Sequence, residues 1–154
     1  MEAGNTLLDD HALALTGVDC PKVCFLPTAS GDADHYIVRF YRAFAAGRCQ
    51  PSHVSLFRRD GGAGDLAAHL MAQDLVYVGG GSLISLLGTW SAHGIDLMLR
   101  AAWENGVVMA GSTPAQWRWS MRWSMVTRLP GRAPPRRARR PRGRWRAGSA
   151  RRAA

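Results

Sequence analysis

Apolar and polar positions along the first 111 residues switch repeatedly between the two-residue period of strands and the three- to four-residue period of helices. Asn5 or Thr6 can cap a helix through Leu15 with apolar positions at Leu7, Leu8, Leu13 and Leu15, and Gly17 stands where such helices end. The run Val23 to Leu26 predicts a first strand, which Pro27 to Gly31 turns. Asp32 or Asp34 then opens and caps a helix burying Ile37, Phe40, Tyr41 and Phe44, and Gly47 ends it. Val54 to Phe57 predicts a second strand, followed by a turn at Gly61, Gly62 and Gly64 and a short helix on Leu66, Ala67 and Leu70. Leu75 to Val78 reads as the third strand, directly followed by Gly79, Gly80 and Gly81. A helix on Leu83, Ile84, Leu86 and Leu87 comes next, then one over Ile95 to Glu104 on the face Ile95, Leu97, Met98, Leu99 and Ala102, and a fourth strand at Val107 to Ala110. Strand and helix alternating with short connections predict an α/β fold, a parallel sheet with helices on both faces. Sites in such sheets gather at the carboxyl ends of the strands, which draws attention to Gly79 to Ser82 and to Gly111 to Pro114.

Beyond Gly111 the pattern stops. Residues 112–154 hold 13 arginines and no acid, whereas residues 1–111 hold 7 basic and 11 acidic side chains, a net of −4. The sequence pI of about 10.9 is therefore a property of the tail. Arg, Pro, Ala, Gly and Trp make up most of Arg128 to Ala154, and Pro130, Pro134, Pro135 and Pro141 interrupt any helix, so the segment is expected to be disordered. Arginines interleaved with Trp117, Trp119, Trp123 and Trp145 suit sequence-blind binding to nucleic acid, the one nucleic-acid contact expected.

Cys20, Cys24 and Cys49 form an odd set without the paired spacing of a zinc site, and no charged-then-apolar leader precedes them. Reduced thiols in a cytoplasm are the expectation, with Cys20 and Cys24 as small buried hydrophobes flanking the first strand. His35 and His53 fall at element edges and are expected to be solvated. No apolar run approaches the roughly 18 residues of a membrane span.

A triple glycine after a buried strand lets backbone N–H groups approach an anion or a developing oxyanion, because no Cβ obstructs them. The same triplet also serves as a plain strand-to-helix turn. The second strand end, an apolar strand followed by Gly111-Ser112-Thr113-Pro114, is where a nucleophile elbow would place its hydroxyl. Four stretches together carry more than any one alone: Pro21-Lys22-Val23 into Leu26-Pro27-Thr28-Ala29-Ser30-Gly31-Asp32; Asp74 to Gly81; Trp90 with His93-Gly94; and Ala102 to Gly111. In that combination the stretch Leu7 to Gly111 resembles the peptidase E family, serine hydrolases that act as aspartyl dipeptidases and are relatives of cyanophycinase.

The resemblance implies a flavodoxin-like, class I amidotransferase-like sheet, left incomplete in this chain, with a Ser and His catalytic pair and no metal or cofactor. Short peptides beginning with Asp are the implied substrates; nothing bears on oligomeric state. Matched from Gly111, the nucleophile falls at Thr113, with Ser112 as the alternative; Gly80 and Gly81 match the oxyanion donors, and Ser82 stands where the family's turn has Asn. Two departures are larger. Pro114 has no N–H to offer as the second oxyanion donor, and all five histidines precede the nucleophile position, whereas the family's base follows it.

One lost nucleotide accounts for both. Codons GGC-AGC-AGC-GCC-GGC-GCA would encode Gly-Ser-Ser-Ala-Gly-Ala; dropping the G of the second AGC gives Gly-Ser-Thr-Pro-Ala-Gln, which is the sequence Gly111 to Gln116. Residues 112–154 then read as GC-rich coding sequence out of frame, and a truncated, inactive enzyme is expected. The alternatives are an evolved basic tail, a non-catalytic module using Gly79 to Ser82 as an anion cradle, and a basic-tailed nucleic-acid-binding protein.

Overall fold

A computed structural model describes residues 6–57 and 66–111. Its elements run α1 (Leu7–Leu15), β1 (Lys22–Leu26), a 3-10 turn (Thr28–Ser30), α2 (Asp34–Ala43), β2 (Gln50–His53), α3 (Leu66–Met71), β3 (Leu75–Val78), α4 (Leu83–His93), α5 (Ile95–Glu104) and β4 (Val108–Gly111). All strand pairs are parallel and the sheet order is β2-β1-β3-β4, so the α/β expectation holds. The order reverses between β1 and β3. At that switch point the connections leave to opposite sides, and their carboxyl ends open a crevice.

Alternation along the strands divides the core in two. Val23, Phe25, Leu75, Tyr77 and Ala110 face α1 and α2, meeting Ala12, Phe40 and Phe44. Cys24, Leu26, Val76, Val78 and Met109 face α3 to α5, meeting Leu70, Leu86, Trp90, Ile95, Leu99 and Ala102. On the first side Phe25 stacks on Phe40 at 4.8 Å between ring centroids, and Phe40 on Phe44 at 5.0 Å.

The structure moves several expected features. The second strand is Gln50–His53, four residues before the apolar run Val54 to Phe57. Its register against β1 runs from Lys22 with Gln50 through Phe25 with His53, with Ser52 Oγ donating to Val23 O at 3.3 Å, and Pro51 is tolerated because β2 lies at the edge of the described sheet. Val54 and Leu56 pack under the sheet from the segment that follows. Helix α2 ends at Ala43, before Gly47, and neither Asp32 nor Asp34 caps it: Ala33 holds the cap position without a side-chain bond, and Asp34 is the first helical residue. Tyr41, expected inside, is exposed and bonds His53 Nδ1 at 2.9 Å. Leu7, Leu8, Ile84 and Leu97 also point outward, the most extreme being Ile84 at 86% exposure, while Asp9 and Ala12 supply the inward face of α1. Thr6 stands at the α1 cap position without a side-chain bond, and the αL turn at Gly17 follows the helix end as expected. Asn5, the turn at Gly61, Gly62 and Gly64, and the whole tail from Ser112 lie outside the described residues. No helix of the described residues is long and apolar enough to cross a membrane.

Candidate active site

Two turns meet at the switch point. After β1, the 3-10 turn places the fully buried Thr28 and the buried Ala29 beneath the start of α4. After β3, Gly79 donates its N–H to Leu26 O at 3.0 Å, and Ser82 donates to Ala29 O at 2.7 Å. The two turns are thus joined directly by backbone hydrogen bonds.

Glycine is required at one position of that junction and tightly fitted at another. A Cβ on Gly81 would lie 2.2 Å from Ala29 O, and its φ of +150° is one that L side chains rarely adopt. A Cβ on Gly79 would meet the Phe25 ring at 3.0 Å. Ser82 Oγ accepts from Ser85 N at 3.3 Å and so caps α4, whose N-terminal dipole end points back at the crevice. From the far side the buried Trp90 donates Nε1–H to Thr28 Oγ1 at 3.3 Å, which fixes the 3-10 turn that carries Ala29. Nothing in periodicity pointed to that bond, although Trp90 is among the residues that carry the family resemblance.

The candidate residues occupy this junction unevenly. Gly80 is half-buried and its N–H has no partner among the described residues; Gly81 and Ser82 are exposed. Gly111 pairs with Val78, so β4 ends beside the glycine turn. Ser112 and Thr113 follow in sequence and lie outside the described residues. Among the described residues no three of His, Cys, Asp and Glu come together as metal ligands.

The five histidines are spread over five different elements. His53 closes β2, three strand spacings or roughly 14 Å across the sheet from the end of β4. His93 closes α4 at the end opposite the crevice, His69 of α3 contacts Gln73, His11 belongs to α1, and His35 stands in the first turn of α2, the helix that follows the β1 turn.

One of the two carboxylates expected as helix caps sits at the same edge in a different structural role. Asp32 follows the αL residue Gly31 with a φ of its own of 56° and is completely buried. Its Oδ2 accepts Phe57 N–H at 2.8 Å, tying the β1 turn to the segment after β2, while Oδ1 has no partner. The signal available was the residue type: after Gly, Asp is among the few non-glycine residues that enter αL readily.

The cysteines differ from one another. Cys24 is buried in β1, and burial pushes its thiol up to about 12 despite a hydrogen bond with Ser52 that acts the other way. Cys49 is buried and Cys20, contrary to expectation, is exposed, because the chain bends at residue 20 before the strand begins.

Comparison with known proteins fits the parts just described. The family model for peptidase family S51 matches residues 1–114. This chain belongs to peptidase family S51. The uncharacterized peptidase YgaJ of Bacillus subtilis (strain 168) is 49% identical to this S51 chain over 111 residues, 72% of this chain and 47% of YgaJ. A crystal structure of a provisionally assigned peptidase E protein from Listeria monocytogenes EGD-e superposes with a TM-score of 0.50 at 21% identity, covering 60% of this chain and 46% of that one. That likeness shows the flavodoxin-like, amidotransferase-type fold. The S51 chain spans about half the length of the relatives it matches.

Proposed function

We propose that residues 1–111 are the N-terminal half of a serine-type S51 peptidase acting on short peptides with N-terminal Asp, and that this chain is inactive or nearly so. The observation that carries the reading is the backbone junction of Gly79 to Ser82 with Ala29, which holds the unpartnered Gly80 N–H beside the end of β4. In an intact relative of this design, a hydroxyl just past β4 attacks the peptide carbonyl and a histidine takes its proton and returns it to the leaving amine. Gly80 and Gly81 N–H groups hold the oxyanion, with Ser82 at the substrate's edge.

Here the nucleophile position is Thr113, or Ser112, and the next residue, Pro114, lacks the N–H that would complete the oxyanion hole. Loss of one such donor costs roughly a hundred- to a thousand-fold in rate. No histidine stands between Thr113 and Ala154, the stretch that follows the nucleophile position here. Residues 112–154 are read as the out-of-frame product of one lost nucleotide.

Two measurements test this. Hydrolysis of an Asp-X dipeptide by the purified chain is expected to stay at the buffer rate; turnover abolished by Thr113→Ala or Ser112→Ala would overturn the inactive reading. The nucleotide sequence across codons 111–114, with an intact mass, tests the origin of the tail. A coding sequence with no peptidase-like continuation in either shifted frame refutes the lost nucleotide. The anion-cradle alternative is less well supported, since Ser82 and Ser85 N–H groups are already taken by Ala29 O and Ser82 Oγ.

A further inference from the structure

The two edges of the described sheet are unlike. Gln50 N donates to Pro21 O at 2.8 Å and Val54 N to Phe25 O at 3.0 Å, so along β2 Gln50 and Ser52 turn their backbone groups to β1 while Pro51 and His53 turn theirs outward. Proline at an outward position has no N–H to present, which blunts that edge against a further strand. At the other edge Val108 N donates to Asp74 O at 3.0 Å. Val108 and Ala110 therefore face β3, and Met109 and Gly111 turn N–H and C=O outward, with no strand beside them among the described residues. The β4 sequence Val-Met-Ala-Gly holds no proline and no charge to blunt this edge.

Helix α1 continues this edge with apolar surface. It packs against β4 through an inward face that includes Asp9 and Ala12. Asp10, on one flank of that face, pairs with Arg48, which also donates to Ala43 O at the end of α2, so this flank looks toward α2. Leu8 and Leu15, at i and i+7 on one stripe, form the other flank, on the free side of β4. Leu8 is 79% exposed and Leu15 half-buried.

We propose that this edge docks a second copy of the chain, β4 against β4 in antiparallel register about a two-fold axis normal to the sheet at Ala110. Met109 of each copy then exchanges both of its outward backbone bonds with Gly111 of the other. Such a rotation keeps each face of the sheet continuous, so both α1 helices lie on one side. Because α1 leads through a short bend into the start of β1, Leu15 stands toward the amino end of the sheet and Leu8 toward the carboxyl end, and the rotation sets Leu8 of each copy near Leu15 of the other. Charge favours the same occupant. Antiparallel pairing brings the carboxyl end of one β4, from which the arginines of residues 112–154 continue, beside the amino end of the other. There Glu104 closes α5 and Asp74 precedes β3, so a basic segment of each copy starts next to acids of its partner.

The test is sedimentation velocity of the full-length, reduced chain from about 1 to about 200 µM, with amide hydrogen exchange at both ends of the range. A short strand and two leucines make a small interface, so a reversible dimer that dissociates on dilution is expected. Exchange at Met109 and Gly111 is expected to slow as the dimer forms. Gly111→Pro removes an outward N–H, as Pro51 does on the other edge, and is expected to raise the dissociation constant about tenfold or more. Leu8→Lys, a change at an exposed position, reads the same contact independently and is expected to act in the same direction. Ile84→Lys, at an exposed apolar side chain of α4 on the other face of the sheet, is expected to leave association unchanged. Four results would each overturn the proposal. They are a chain that stays monomeric throughout, Met109 and Gly111 amides already protected in the monomer because the same chain holds the edge, a dimer indifferent to both Gly111→Pro and Leu8→Lys, and association lost with Ile84→Lys as well.

Discussion

Asp32 concentrates several unfavourable terms in one side chain: positive φ, complete burial and an oxygen without a partner. What it supplies in return is the acceptor for Phe57 N–H. Asp32→Ala keeps the strained backbone and orphans that donor, so a loss of about 2 kcal/mol in urea unfolding is expected. Asp32→Asn retains an acceptor and tolerates αL, so it should cost less than the alanine change; a larger cost would show that the bond to Phe57 N–H is not what the side chain chiefly supplies. Cys24 gives a pH-dependent counterpart. Its thiol rises from an ordinary 9.0 to about 12 in the folded chain. Below pH 9 both states keep the proton and stability does not respond. Between pH 9 and 12 the unfolded chain releases it and the folded chain does not, so stability falls as pH rises, by about 4 kcal/mol at the upper end. Tyr77, raised by burial and by Asp9, adds a loss of the same sign at higher pH. Urea unfolding of the reduced protein at pH 8, 10 and 11 should show this decline, and Cys24→Val should make it shallower; an unchanged slope would remove Cys24 as its source.

Among the elements, the turn between β3 and α4 and the helix it opens treat glycine in opposite ways. Gly81→Ala places a Cβ against Ala29 O at an unfavourable φ, and a loss of roughly 3 kcal/mol or more is expected from strain and overpacking together. Gly88, inside α4, has open space around a Cβ, so Gly88→Ala should raise stability by about 0.5–1 kcal/mol through helix propensity. Urea midpoints of the two variants should therefore move apart in opposite directions from the unsubstituted chain. These elements also show what a sequence reveals. Helix α5 and strands β1 and β3 were legible because burial on one or both faces forces an apolar pattern. Strand β2 was not, because an edge strand is held by backbone bonds to β1 and needs no apolar side chains; Gln50, Pro51, Ser52 and His53 carry no strand signal. The exposed Leu7, Ile84 and Leu97 misled the helix faces for a related reason: periodicity marks which residues share a stripe, and packing decides which stripe turns inward.

On the scale of the whole chain, the glycine turn was legible because triple glycine after a buried strand has few uses, whereas its support was not. Ala29 contributes only a carbonyl, Trp90 only an indole N–H, and Asp32 a conformation; none of these leaves a spacing pattern. Charge, by contrast, is read directly from sequence, and it divides the chain into an acidic body and a tail with 13 arginines and no acid. Such a tail meets phosphate through counterion release whatever its origin, so an interaction with duplex DNA is expected that the body, at net −4, opposes. If about six phosphates are engaged, affinity should fall roughly a thousand-fold between 50 and 200 mM salt. Two unrelated duplexes of equal length should bind equally well, because the arginines follow no period in the sequence that would match base edges and phosphate contacts carry no sequence information. Fluorescence anisotropy with both duplexes across that salt range measures slope and preference together. A sequence preference that survives at 200 mM would mean that the tail reads bases, and residues 112–154 would then have to be treated as an evolved segment, contrary to the out-of-frame reading.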